Sequence, residues 1–370
     1  MVVAPDKFKG SLTALEAATA IAAGLREGQP GAQARILPIA DGGDGTVDAA
    51  VAAGYERVEL EVAGPTGEPV QAAIALRGDT AIVEMAQASG MQRLPNGRPA
   101  PLTASTFGTG ELVRAALDRG AREVVLGIGG SATTDGGSGM ARALGARFLA
   151  ADGTELPPGG AALAGLSAID IDKLDPRLAS VRVTVAIDVD NPLFGPDGAA
   201  YIYGPQKGAT PEDVKVLDAA LRRYAEVLTR AVGVDISAVP GAGAAGGLGA
   251  GAMAFLKATP RSGISLLLDL VGFREALEGA SLVVTGEGAL DVQSLRGKAV
   301  MGVTRAAAAA GVPVVVLAGR VDLSPEEASQ AGFAATYALT DLEPDLGRCC
   351  RDAAILLRQL AAGIVWPKKP

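Results

Sequence analysis

The chain has 370 residues, 20% charged and 49% hydrophobic, which suits one large or two ordinary globular domains and excludes a disordered chain. A net charge of −8 argues against nucleic acid and anionic membrane surfaces as partners. Histidine is absent, so Ser-His-Asp and Cys-His arrangements, His-bound zinc and imidazole shuttles are excluded, and a general base must be a carboxylate or, less favourably, a lysine or tyrosine.

No apolar stretch reaches the roughly 18 to 20 residues needed to span a bilayer, and Met1-Val2-Val3 enters a strand without a basic leader. The adjacent Cys349 and Cys350 cannot staple a fold and suit a reducing cytosol on a buried helix face. A cytoplasmic protein is therefore expected.

The first strand runs into Pro5-Asp6-Lys7-Phe8-Lys9-Gly10-Ser11. Thr13 and Glu16 make a capping box for a helix to about Gly28. Asp6, Lys7, Lys9 and Ser11 thus sit at a strand end beside a helix start, which suits a solvated turn and an anion site equally. Residues 37–39 lead into Asp41-Gly42-Gly43-Asp44-Gly45-Thr46 and a further helix. From Tyr55 the pattern changes to period two: 58–62 and 70–76 read as a hairpin around Gly64-Pro65-Thr66-Gly67, with another strand at 80–84. That shift marks an inserted second domain. Arg98, in a Pro-rich loop, is a candidate for a substrate carboxylate.

Residues 123–139 organise the chain. A strand at 124–128 enters a loop of glycines, hydroxyls and one carboxylate: Gly129, Gly130, Ser131, Thr133, Asp135, Gly136 and Gly137, followed by a helix. Bare backbone N–H groups at a helix start suit phosphate, and Asp135 suits a metal ion. The same combination recurs in the Asp41 loop and in Gly286-Glu287-Gly288 with Asp291, after a strand at 282–284. Three strand ends that carry glycines and acids point to a phosphate ligand with a divalent cation.

A strand at 181–187 ends in Asp188-Val189-Asp190-Asn191, where two acids at alternate positions share a face and repel unless a cation or proton compensates. Lys207 lies in a Gly-Pro-Gln-Lys-Gly loop before a helix from about 211 to 232. Residues 240–251, rich in glycine and alanine, read as a linker, a hinge or a loop close to a ligand. Alternation of strand and helix returns after 282, with helices at 298–310 and 350–360 and a strand at 312–317. No Gly-x-x-x-x-Gly-Lys-Ser/Thr occurs, and Gly127-x-Gly129 lacks the third glycine of a dinucleotide fingerprint.

Together these residues resemble the bacterial glycerate kinase family of two-domain α/β type, nearly end to end. The resemblance rests on Ala4-Pro5-Asp6-Lys7-Phe8-Lys9-Gly10-Ser11-Leu12, the Asp41 loop, Val83-Glu84-Met85-Ala86-Gln87-Ala88-Ser89-Gly90 and Gly127–Gly137. It continues through Asp188-Val189-Asp190-Asn191-Pro192-Leu193, the Lys207 loop to Glu212, the glycine-alanine segment and Thr285-Gly286-Glu287-Gly288. The chain departs from the family pattern at Asp44, Thr134, Ala186, Ala289 and Ser294, of which Thr134 and Ala289 fall inside proposed site loops.

The resemblance implies ATP-dependent phosphorylation of D-glycerate at the 2-hydroxyl, with Mg²⁺. The alternatives are a kinase for another small hydroxy acid and a dinucleotide-dependent oxidoreductase. It also implies a discontinuous Rossmann-like parallel-sheet domain (1–60 and 280–370) and an inserted mixed α/β domain (61–279), with the active site in the cleft between them. The expected catalytic residues are Asp188, Asp190 and Lys7. Asp6, Lys9, Ser11, Arg98, Asn191 and Lys207 are expected at the substrate. Gly42, Gly43, Asp44, Gly129, Gly130, Ser131, Thr133, Gly136, Gly137, Gly286, Glu287 and Gly288 are expected at the nucleotide. Asp41, Asp135, Asp190 and Asp291 are the metal candidates. A homodimer is left open.

Overall fold

Valine-rich segments near both chain ends build one sheet, and those in the middle build another. The computed structural model describes residues 1–40, 42–296 and 299–365. In chain order the strands are β1 (Val2–Val3), β2 (Arg35–Ile36), β3 (Glu56–Ala63), β4 (Pro69–Arg77), β5 (Thr80–Glu84), β6 (Glu123–Gly127), β7 (Arg147–Leu149), β8 (Ala168–Asp170), β9 (Arg182–Ala186), β10 (Thr259–Arg261), β11 (Val283–Leu290), β12 (Val314–Val321) and β13 (Ala335–Ala338). They fall in two units: Met1–Asp41, Asp48–Gly54 and Ile264–Pro370, and Gly42–Val47 with Tyr55–Gly263.

The first unit holds an all-parallel sheet in the order β13-β12-β11-β1-β2. Its strands are almost wholly apolar because helices cover both faces. Alternate residues serve alternate faces. Val2, Val283, Val314 and Val316 join one core with Val300, Val303 and Ala307 of the helix Ala299–Ala309. Val3, Val284, Val315 and Leu317 join the other, with Ile21, Leu25 and Leu357. The Thr13–Glu16 capping box starts the helix Ala14–Gly28 as expected. That helix packs so tightly on the helix Ala353–Ala362 that a Cβ on Gly24 would lie 2.0 Å from the Arg358 carbonyl oxygen.

The second unit holds a mixed sheet in the order β10-β9-β6-β5-β4-β3. Strands β5, β6, β9 and β10 are parallel. The hairpin β3–β4 is antiparallel, with Val62 opposite Val70. Ile74, Val83, Leu126 and Val185 pack against Leu112, Met140 and Leu248. A separate core surrounds the helix Pro211–Val232, where Leu217, Leu221 and Tyr224 meet Phe148 and Phe255.

Residues 240–251 are no linker. They form the start of a largely buried helix, Ala244–Phe255, whose first turn carries Ala245, Gly246 and Gly247 in the left-handed region. Small residues serve close packing here: a Cβ on Gly246 would lie 1.9 Å from the Thr133 carbonyl oxygen. The first unit resumes at Ile264, ahead of the expected 280, because Ile264, Leu267 and Leu268 belong to its core. Residues 55–60 go with the second unit because β3 begins at Glu56. Among the described residues no helix is long and apolar enough to cross a membrane.

Candidate active site

In the first unit the strand order reverses at β1, which has β2 on one side and β11 on the other. Ligands of open parallel sheets bind outside the carboxyl ends of strands at such a point. Asp6 and Lys7 follow β1 directly, both half-buried. The Asp6 N–H donates to the Gly286 carbonyl at 2.8 Å, and the Asp6 carboxylate accepts from the Lys7 N–H at 2.7 Å. Gly286, Glu287 and Gly288 lie inside β11 rather than in a loop after it, because β11 continues to Leu290 beside β12. Lys9 is exposed, and the Ser11 hydroxyl donates to the Cys350 carbonyl. Both line a pocket at this rim.

The second unit brings several strand ends together. The Gly42-Gly43-Asp44 loop lies on the ends of β6 and β9. The Gly129 N–H donates to the Gly42 carbonyl at 3.2 Å. A Cβ on Gly129 would lie 2.6 Å from Gly43 Cα, and one on Gly127 would lie 2.7 Å from the Gly42 carbonyl oxygen. Only bare backbone fits between these loops. Asp44 accepts from Gln92 at 3.1 Å. Asp188 and Asp190 follow β9, both exposed, and the Asp188 carboxylate accepts the Gly263 N–H at 3.0 Å. Glu84, which closes β5, is almost fully buried and accepts the Val47 N–H at 3.0 Å.

Beneath this rim Asp135 ties a knot. Its carboxylate is fully buried and accepts four hydrogen bonds, from the N–H and hydroxyl of Thr106 (2.9 Å each) and from the N–H groups of Gly137 and Gly139 (3.1 Å each). The Thr106 hydroxyl in turn accepts the Met140 N–H. Burial pushes the Asp135 carboxyl up, against the pull of these donors. Lys207 is buried in the same unit and donates to the Thr133 carbonyl at 2.6 Å. Burial pulls its ammonium down to about 7, with Asp135 as the opposing influence.

The lowered Lys207 value makes stability depend on pH in one direction. Between about pH 7 and the ordinary lysine range, the unfolded chain binds a proton at Lys207 that the folded chain does not. Stability from this group therefore rises with pH across that window. Relative to Lys207→Met, the unaltered chain gains up to about 2 kcal/mol between pH 7 and 9, since each tenfold difference in proton affinity is worth about 1.4 kcal/mol. Urea unfolding at the two pH values checks this, and a constant difference contradicts it.

The model for the glycerate kinase family matches residues 1–366. The chain belongs to that family. It is 46% identical to a glycerate kinase of Halalkalibacterium halodurans over 98% of this chain and 97% of that one. It is 47% identical to a glycerate 2-kinase of Escherichia coli K12, covering 92% and 90%. A crystal structure assigned to glycerate kinase 2 of Salmonella typhimurium LT2 superposes with a TM-score of 0.84 at 44% identity, covering 98% and 96% of the two chains.

Several of the expected site residues make internal contacts that hold the fold. Asp135 does not suit a metal ion, since four donors already surround its oxygens. The Gly136 N–H is spent on the Gly246 carbonyl and the Gly137 N–H on Asp135. A Cβ on Gly136 would lie 2.5 Å from the Tyr224 ring, whose hydroxyl donates to the Gly136 carbonyl. Lys207 faces Thr133, not solvent. Asn191 donates its amide to the Asp197 carbonyl and accepts the Tyr203 hydroxyl, a clasp within its loop. Asp291 caps the turn Ser294–Arg296 through the N–H groups of Gln293 and Ser294. Thr133 is buried, with its hydroxyl unpartnered among the described residues. Arg98 is exposed on its loop. Asp41 lies outside the described residues.

Glu84, which the sequence reading did not single out, closes β5 and is held by the Val47 N–H and the Gln87 side-chain amide.

Proposed function

We propose that this chain transfers the γ-phosphoryl group of ATP to the 2-hydroxyl of D-glycerate. The observation that carries this reading is identity of 46–47% to glycerate kinases over nearly the whole chain. Phosphoryl transfer requires positioning and charge neutralisation more than covalent chemistry. A chain without histidine is equipped for that. Lys7, beside the reversal point of the parallel sheet, neutralises charge on phosphate or substrate. Gly42, Gly43, Gly129, Gly130 and Ser131 offer backbone and a hydroxyl at the rim of the second sheet.

Among the described residues no three acidic or cysteine side chains form a metal cage. Mg²⁺ fits nonetheless, because it takes one or two carboxylates and completes its shell with phosphate oxygens and water. Asp188 and Asp190 have the right donor type and exposure to hold it. When bound, the ion supplies positive charge against the phosphates. One of the two acids accepts the proton of the 2-hydroxyl, since no imidazole exists to do so. Availability of ATP goes with a cytosolic setting.

A coupled ADP-release assay over a panel of small hydroxy acids tests the reading, with the product's phosphate position read by NMR. D-glycerate with phosphate on the 2-oxygen is expected. Reduction of a nicotinamide cofactor without ADP formation would overturn it.

A further inference from the structure

Resting on the kinase reading, we propose that the pocket at the rim of the first unit's sheet seats the purine base of ATP. The pocket measures about 160 Å³, room for one flat bicyclic base. It opens where β11 and β12 end, beside the turn after β1. It thus adjoins the reversal point of the strand order at β1, where parallel sheets take nucleotides.

Its lining fits a base with a charged tail. Phe8, Leu339 and Ala353 supply apolar walls, and Gly288 and Gly319 leave bare backbone between them. Lys9 and Arg320 also line it, and among the described residues no acid does, in a chain with 41 of them. Arg320 is held in place by Asp322 at 2.8 Å. Lys9 is exposed. Apolar walls with cations attract a purine through its faces and its phosphates through charge. Glycerate, small and polar throughout, would leave those walls unfilled. The Ser11 hydroxyl, anchored on the Cys350 carbonyl at 3.1 Å, fixes one side.

The pocket carries its own reporter. Cys350 lines it and is exposed. Cys349 is buried, its thiol donates to the Glu343 carbonyl, and burial pushes that thiol up. N-ethylmaleimide should therefore label Cys350 selectively. On the full chain, saturating ATP or adenosine should slow labelling about tenfold or more, and D-glycerate should leave it unchanged. Ala289→Trp, which fills the pocket from β11, should raise the KM for ATP about tenfold and leave the KM for glycerate alone. If calorimetry shows ATP bound while labelling and the Ala289→Trp KM are unchanged, the base sits elsewhere and the kinase reading survives. If ATP neither binds nor yields ADP, the kinase reading falls and this pocket assignment with it.

Discussion

Asp190→Asn should lower kcat by about 10²–10⁴-fold, the range spanned by loss of a positioned acid or base. Asp188→Asn should have an effect of the same order. Asp190 is exposed just past β9, so its replacement should disturb the fold by no more than about 0.5 kcal/mol. An asparagine at 188 still offers an oxygen to the Gly263 N–H. The two variants are told apart by their response to Mg²⁺ and pH. Loss of the metal ligand raises the Mg²⁺ concentration needed for half-maximal rate and is partly relieved by excess ion. Loss of the base leaves that requirement alone and removes the acidic limb of the kcat profile. Near-normal turnover in both variants would take this pair out of the chemistry.

Asp135→Ala should be among the most destabilising single changes in the chain. The carboxylate is fully buried and its removal strands four donors from Thr106, Gly137 and Gly139. A buried donor without a partner costs about 1–3 kcal/mol. Even with relaxation, a loss of at least about 4 kcal/mol is expected, read as a fall in the denaturant midpoint. Asp135→Asn keeps two acceptor positions but turns an N–H₂ toward a donor, and should cost roughly half as much. Both losses should be the same in EDTA and in Mg²⁺. A loss that appears only when the ion is present would return Asp135 to a metal role.

The difference between those two acids explains what could be read ahead of the structure. Strand and helix spacing is local, so the hairpin around Gly64-Pro65-Thr66-Gly67, the helix Pro211–Val232 and the capping box at Thr13 are all visible in residue order. Whether an acid faces a ligand or the interior depends on what packs against it from elsewhere. Asp135 meets Thr106, and Asn191 meets Tyr203, across separations that spacing does not encode. Glycine is the most ambiguous letter. It marks close approach, but not whether the neighbour is a ligand or another stretch of the same chain. At Gly136 the neighbour is Tyr224, and at Gly246 it is Thr133. Lysine carries the same ambiguity, since Lys207 in a glycine-flanked turn is expected at the substrate and the fold buries it against the Thr133 carbonyl.

β1 is only two residues long, yet it is the strand on which the first sheet turns, hydrogen-bonded to β2 just after it and to β11 far along the chain. During synthesis the amino-terminal segment emerges first and must wait for more than two hundred residues before its missing neighbour leaves the ribosome. Closing so long a loop is slow, and unpaired edges invite association meanwhile. The middle of the polypeptide has no such wait, because its own strands are contiguous in sequence, apart from the short Gly42–Val47 segment just upstream. A nascent chain of this protein should thus mature from the inside out, with its first-made segment among the last to settle.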